Sequence, residues 1–305
     1  MGAGAVGCYF GAMLARAGVP VTLIGRASLV EAIARAGFLI DGLRIHERIA
    51  IKATTSIEEG LRDAAVVLFC VKTVSTDSAA REMAQFLPPH CAILSFQNGV
   101  DNVDRIQAAI GRHAIPVAVY VAAAMSGPAT VKHNGRGDLV IGHRAGWPAE
   151  PDLRPLAAMF EAAEIPCKIS SSIGTELWTK MAMNCAYNAI SALGRAQYGR
   201  IVRNTPARSL GERAIAETVA IAAAEGVSLS AAALVDAALE LGKNMSGATS
   251  STAQDIVRGR ATEIDSLNGY LSRRGAALGI PTPVNDALYA LVKLLEESAI
   301  NSQSS

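Results

Sequence analysis

Apolar residues follow two regimes along the chain. In the first third, short β-branched runs, "VPVTLIGR" (19–26), "AAVVLFCVKT" (64–73) and "CAILSFQNG" (91–99), alternate with helically spaced stretches at about 7–18, 28–37 and 77–87. Continuous apolar runs of this length, each ending in Gly or polar residues, read as strands buried on both faces. Their alternation with helices predicts a doubly wound parallel sheet. From 115 to 143 strand-like runs are broken by "SGP" and "HNGRGD", which predicts antiparallel strands added to that sheet, and "IPCKIS" (165–170) predicts one last strand. Past about 170 the strand signals stop. Ala/Leu-rich segments at 174–194, 206–226, 230–245, 252–258, 263–278 and 283–298 predict helices. The expected architecture is an α/β domain over 1–170 followed by an all-helical domain over 171–305.

Composition narrows the function classes. The 305 residues carry 28 Lys and Arg against 27 Asp and Glu, with no basic block, which argues against nucleic acid or an anionic membrane surface as partner. The longest apolar run, "VAVYVAAAM" (117–125), is too short to span a bilayer. The small, apolar N-terminus lacks the basic segment of a signal peptide, and Val6 breaks a myristoylation pattern. The five cysteines are scattered without a CxxC pair and the five histidines show no metal-binding spacing, so neither a disulfide framework nor a metal site is expected. A cytoplasmic protein is the expectation. Oligomeric state is not legible, and a homodimer is compatible with everything above.

The chain opens "MGAGAVG", with Gly2, Gly4 and Gly7 ahead of an apolar helix. In a Rossmann unit the first glycine makes the tight turn, the second lets backbone approach a pyrophosphate, and the third lets helix and strand pack closely. The helix N-terminus then faces the anion. Ala5 and Val6, between those glycines, would lie on the same phosphate loop. Only Met1 precedes Gly2, so the strand expected before the loop is missing, and the expectation is that Met1 is the last residue of that strand within a longer reading frame. At the end of the second strand, where an NAD site carries an acid for the ribose 2′-hydroxyl, the chain reads "LIGRAS". Arg26 suits a 2′-phosphate instead, which favours NADP(H), and Lys72 in "FCVKT" is a second cation on the ligand side of the sheet. Solvated surface charges are the plainer alternative for both.

A second motif lies in "ELWTKMAMNCAYNAISAL" (176–193). On a helix, positions 180, 184 and 188 drift about 40° per step, so Lys180, Asn184 and Asn188 form one narrow polar stripe about 12 Å long. Two asparagines in a helix interior cost about 1 kcal/mol in propensity relative to Ala. Such a stripe is either a partly wet helix edge or the lining of a polar cleft. Further on, "ATSSTAQDI" reads as a helix start capped by Ser250 or Ser251, a natural carboxylate site. Thr262 and Asp265 stand in capping-box spacing, leaving Glu263 as a first-turn acid without that assignment. Asn98, in "QNG", is placed to reach a ligand, or simply forms a turn.

Taken together, "GAGAVG", "FCVKT", "QNGV", "ELWTKMAMNCAYNAISAL" and "SSTAQDIVRGRATEIDSLNGYL" resemble the signature of the ketopantoate reductase (2-dehydropantoate 2-reductase) family, in order over nearly the whole chain. The resemblance implies a Rossmann-type domain joined to a helical domain, with NADPH-dependent reduction of a 2-oxo acid. The foremost candidate is 2-dehydropantoate, reduced to (R)-pantoate in pantothenate biosynthesis. By the same resemblance, Lys180 matches a proton-donating lysine. Asn184 and Asn188 match residues that bind the substrate's far hydroxyl, and Ser251 one near its carboxylate. Glu263 matches an acid near the reacting centre and cofactor ribose, Asn98 a residue touching both ligands, and Ala124 a small residue along the cofactor. Tyr198 departs from the pattern, standing about where one branch of the family has an asparagine in its substrate loop. Three alternatives remain open here: a reductase of another 2-oxo acid, a β-hydroxyacid dehydrogenase, and a non-catalytic NADP(H) sensor.

Overall fold

The computed structural model describes residues 1–301, with side chains through Ser298. It divides into two compact units: residues 1–97 with 101–173, and residues 98–100 with 174 onward.

In the first unit, α1 (Ala5–Arg16), β1 (Thr22–Ile24) and α2 (Ala27–Ala36) are followed by three short strands, β2 (Phe38–Gly42), β3 (His46–Ile49) and β4 (Lys52–Thr54). Next come α3 (Ile57–Leu61), β5 (Val66–Phe69), α4 (Thr76–Ala84), β6 (Ala92–Ser95) and α5 (Asn102–Ile110). The unit ends with β7 (Ile115–Tyr120), β8 (Ala123–Gly127), β9 (Thr130–His133), β10 (Asp138–Ile141), α6 (Arg154–Ala162) and β11 (Cys167–Ile169). The main sheet runs β11-β10-β7-β6-β5; β5, β6 and β7 are mutually parallel, and β10 pairs antiparallel to β7.

Two expectations change here. Of the antiparallel strands expected on the main sheet, only β7 and β10 join it. β8 and β9 form a hairpin in a separate four-stranded sheet, β3-β2-β9-β8. β2, β3 and β4 were not expected at all. β3 buries only Ile49, so its sequence "HERI" carries almost no apolar signal.

Packing explains why α1 is apolar on every side. Gly7 through Leu14 are all buried. Phe10 meets Phe96, just beyond β6, edge-on at 5.2 Å. The same apolar cluster takes in Phe38, Ile40 and Val131 from the four-stranded sheet. α1 is therefore held between the two sheets, and a helix buried all round has no polar face to show. The other face of the main sheet packs Val67, Phe69 and Ile93 against Ala80 and Met83 of α4 and Ile106 of α5.

Residues 1–3 sit beside the β5 edge. Met1 N donates to Leu68 O at 3.0 Å and Met1 O accepts from Cys70 N at 2.9 Å, while Gly2 N and Ala3 N both donate to Ile24 O at the end of β1. Among the described residues no strand lies between β5 and the β1–β4 pair.

The second unit is helical: α7 (Ile173–Leu193, its first residue counted with the first unit), α8 (Tyr198–Arg203), α9 (Thr205–Ala224), α10 (Ala231–Asn244), α11 (Ser251–Val257), α12 (Asn268–Leu278) and α13 (Pro283–Asn301). Asn204, Ser230 and Ser250 cap α9, α10 and α11 with side-chain oxygens, the standard relief for unpaired first-turn N–H groups. No helix among the described residues is long and apolar enough to cross a membrane.

One buried polar side chain fixes the ligand-side loops of the main sheet. Gln97, 5% exposed, accepts from Ser95 Oγ at 3.0 Å and donates Nε2 to Val71 O (3.1 Å) and Thr76 Oγ1 (2.7 Å). It thus ties the segment after β6 to the loop after β5. Gln97→Leu takes this partner from Ser95 Oγ and the Val71 carbonyl, while Thr76 Oγ1 keeps its bond to Thr73 O, and is expected to cost about 1–2 kcal/mol of stability; chemical unfolding measures it.

Candidate functional site

The glycine loop has the form that an anion site requires. Gly2 has φ +85°, and a Cβ there would come within 2.6 Å of Val71 N; at Gly7 it would come within 2.6 Å of Gly2 O. These two glycines close the turn on itself. At Gly4 a Cβ would meet nothing within 4 Å, so the backbone there faces open space. α1 begins immediately after, with no side-chain cap and no acid in its first turn. The N–H groups of Ala5, Val6 and Gly7 have no acceptor among the described residues. Donors left free at the positive end of a twelve-residue helix, beside an open glycine, fit a pyrophosphate. These residues would hold the phosphates of a dinucleotide.

The other residues expected on the cofactor lie on separate segments of the first unit. Arg26 follows β1 directly, exposed at the N-cap of α2, with no ion pair among the described residues. Lys72 is exposed at the start of the 3₁₀ turn after β5. Ala124 is half-buried in β8 opposite Lys132.

The polar stripe forms as expected on α7. Trp178, Met181 and Cys185 enter one apolar cluster, while Ala182, Ala186, Ala189 and Ile190 enter a second. Gripped on both flanks, the helix is left with a thin arc carrying Lys180, Asn184 and Asn188. Lys180 and Asn184 are half-buried, and Asn188 is only 4% exposed. The described residues supply no hydrogen-bond partner for either side-chain amide. Ser191 continues the arc and binds Ser250 N at 3.2 Å, while Ser250 Oγ donates to the Asn188 carbonyl at 3.0 Å and caps α11. Of the two expected capping residues, Ser250 is the cap. Its hydroxyl is engaged, and Ser251, the next residue, is exposed.

The structure brings Asn98 and Glu263 together. Asn98 Nδ2 donates to Glu263 Oε2 at 2.8 Å, and Gly99, at φ +108°, turns the chain straight afterwards. The capping box expected at Thr262 and Asp265 is not formed. Residues 264–266 make a 3₁₀ turn, Leu267 breaks it at φ −108°, ψ −105°, and α12 starts at Asn268 rather than 263. Thr262 N instead donates to Glu296 Oε1 at 2.7 Å, and Asp265 accepts from Tyr289 Oη (2.7 Å) and Lys293 Nζ (3.0 Å). Burial alone would raise the Asp265 and Glu296 carboxyls, but these hydrogen bonds and the Lys293 cation outweigh it, so both are held below the ordinary range. The α13 contributors were missed from sequence. Their signal is a polar row at 289, 293 and 296, spaced i, i+4 and i+7 on α13.

Gly2 and Gly4 make separable predictions. Gly2→Ala forces a Cβ onto Val71 N at a left-handed φ and is expected to lower stability sharply. Gly4→Ala is expected to leave the melting temperature unchanged while weakening nicotinamide-dinucleotide binding about tenfold or more, since the methyl occupies open space where phosphate would approach. Thermal unfolding and cofactor-fluorescence titration check the pair.

Residues 1–146 match the family description "Ketopantoate reductase PanE/ApbA" and residues 172–296 match "Ketopantoate reductase PanE/ApbA C terminal". The chain is 32% identical over 298 residues to the 2-dehydropantoate 2-reductase of Pyrococcus horikoshii, covering 97% of this chain and 96% of that protein. It is 31% identical to the Halobacterium salinarum protein of the same name, with 97% of each covered. Among solved structures, a PanE/ApbA family ketopantoate reductase from Ralstonia eutropha JMP134 superposes with a TM-score of 0.91 at 42% identity, covering 98% of both chains. A D-mandelate dehydrogenase with NADH and anilino(oxo)acetate reaches the same TM-score at 22% identity, a likeness of fold. With its two family matches and full-length relatives, the chain belongs to the ketopantoate reductase family of oxidoreductases.

Proposed function

We propose that this protein reduces a 2-oxo acid with NADPH, and that the acid is 2-dehydropantoate, giving (R)-pantoate for pantothenate biosynthesis in the cytoplasm. The relatives named above support the reaction class. The observation that carries the substrate side is the α7 stripe, a lysine in line with two half-buried or buried amides that have no partner in the described chain.

In this reading residues 1–170 form the cofactor domain and 171–305 the substrate domain. Gly2, Gly4, Ala5, Val6 and Gly7 hold the pyrophosphate. Arg26 takes the 2′-phosphate and Lys72 adds positive charge, while Ala124 leaves room along the cofactor. Bound there, the cofactor supplies a hydride to C2 of the keto acid. Lys180, as an ammonium, stabilises the negative charge that grows on the carbonyl oxygen and then gives that oxygen its proton. Asn184 and Asn188 pair with the substrate's hydroxyl, and Ser251 lies at the start of α11 for its carboxylate. Asn98 and Glu263, already hydrogen-bonded to each other, act as one unit beside the reacting centre and ribose.

One observation favours keeping another 2-oxo acid as a second reading. The Tyr198 ring packs against Tyr187 at 4.5 Å, with its backbone N–H on Ala248 O, so an aromatic group is fixed at the start of α8, tied to the segment that precedes α11.

The experiment follows NADPH absorbance with a panel of 2-oxo acids, 2-dehydropantoate first. Lys180→Ala is expected to bind NADPH as the parent does while turnover falls about 10²-fold or more. Unchanged turnover rejects the proton-donor role, and a different best substrate in the panel selects the second reading.

A further inference from the structure

Glu263 stands in a segment with little regular structure of its own. The backbone around it forms a single 3₁₀ turn, with Ser266 N donating to Glu263 O at 3.0 Å and Leu267 N to Ile264 O at 3.2 Å. A carboxylate on such a turn would sample many positions unless something outside the turn held it. The outside support comes from one face of α13. Tyr289, Lys293 and Glu296, spaced i, i+4 and i+7, fall on one side of that helix.

Each of the three engages a residue flanking Glu263. Glu296, 6% exposed, accepts the Thr262 N–H at 2.7 Å, immediately before Glu263. Lys293 Nζ bridges Glu296 Oε2 (2.8 Å) and Asp265 Oδ2 (3.0 Å), two residues after it. Tyr289 Oη donates to Asp265 Oδ1 at 2.7 Å. Two further bonds tighten the same turn: Arg273 donates to the Asp265 carbonyl at 2.8 Å, and Ile264 N donates to Thr262 Oγ1 at 3.1 Å. The residues on both sides of Glu263 are thereby fixed to one rigid helix, and the Glu263 carboxylate that emerges between them meets Asn98 at 2.8 Å.

A brace that served stability alone would have no reason to be ionic. At Glu296, the buried member, an apolar side chain of similar volume would do at least as well, because desolvating a charge offsets much of what its partner contributes. What hydrogen-bonded charges add over apolar packing is direction. A carboxylate accepting one named N–H fixes the direction in which that peptide points.

We infer that Tyr289, Lys293 and Glu296 form a positioning ladder that sets the Glu263 carboxylate for the reaction through Thr262 and Asp265. The inference rests on the reading of Glu263 given under the proposed function. The three touch neither substrate nor cofactor in this account. They act through the peptide on either side of Glu263, and misplacing a reacting group by about 1 Å can cost on the order of 10²-fold in rate.

The test is a double-mutant cycle between Glu296→Leu and Glu263→Gln, read as kcat and KM with NADPH and 2-dehydropantoate, together with hydrogen exchange of the segment 262–266. Glu296→Leu is expected to lower kcat about tenfold or more with KM for the acid changed less than about threefold. It should also speed exchange at the Thr262 amide. Glu296→Gln, which keeps an oxygen for that N–H, should restore slow exchange and most of kcat. In the Glu263→Gln background, Glu296→Leu should change kcat by less than about twofold, because the group it positions is already gone. Equal fold-losses in both backgrounds would mean general destabilisation and would overturn the ladder while leaving Glu263 in place. A Glu263→Gln enzyme with full kcat would instead overturn the role of Glu263 itself, and the ladder with it. Should Glu296→Leu fail to fold, Tyr289→Phe, which removes one hydroxyl, enters the same cycle with the same two outcomes.

Discussion

A side-chain amide taken out of water has to find a donor and an acceptor or lose about 1–3 kcal/mol. On α7 the side-chain amides of Asn188 and half-buried Asn184 have no hydrogen-bond partner among the described residues, which leaves their donors and acceptors available to a ligand. The helix cannot rotate to pair them itself. Trp178, Met181 and Cys185 lock one flank and Ala182, Ala186 and Ile190 the other, so the arc carrying Lys180 and both asparagines is held in one direction. Alanine at 184 and 188 would be better helix formers and would leave nothing unpaired. The local arrangement thus makes sense as one half of a set of hydrogen bonds whose other half is a small polar molecule. Everything proposed for the reaction on this unit follows from where that arc is.

The first unit solves a different problem, how to leave backbone donors exposed without letting the loop collapse. Gly2 and Gly7 pack against each other and against the β5 end so closely that no side chain fits, and the turn is rigid because it is full. Gly4 alone opens outward, and the first-turn N–H groups of α1 stay free beside it. Burying α1 between two sheets fixes the direction of those groups. Gln97 does a related task with side-chain atoms, using its carbonyl oxygen and both amide hydrogens to set the loop after β5 against the segment that leads to Asn98.

Much of this was legible in the residues. The βαβ rhythm, the glycine turn and the stripe depend on local spacing, and local spacing survives folding. The failures share a cause in tertiary context. Strand β3 is an edge with one buried side chain, so its pattern is nearly all polar. The β8–β9 hairpin has strand character in sequence, but nothing local says which sheet it joins, and α1 draws it into the smaller one. Thr262 and Asp265 have capping-box spacing, yet Asp265 is taken by Tyr289 and Lys293 and the Thr262 N–H by Glu296, all from α13, more than twenty residues away. Gln97 looks like an ordinary polar residue at a strand end; its three bonds come from segments before and beside it that no spacing rule joins.

The most direct measurement compares kcat/KM for 2-dehydropantoate with that for the same acid bearing hydrogen in place of its hydroxyl. If the open amides of Asn184 and Asn188 exist to pair with that hydroxyl, the deoxy acid leaves them unpaired in the bound state, and kcat/KM is expected to fall about 10²-fold or more. Equal values for the two acids would contradict the account, because the polar arc on α7 would then contribute nothing to choosing the substrate.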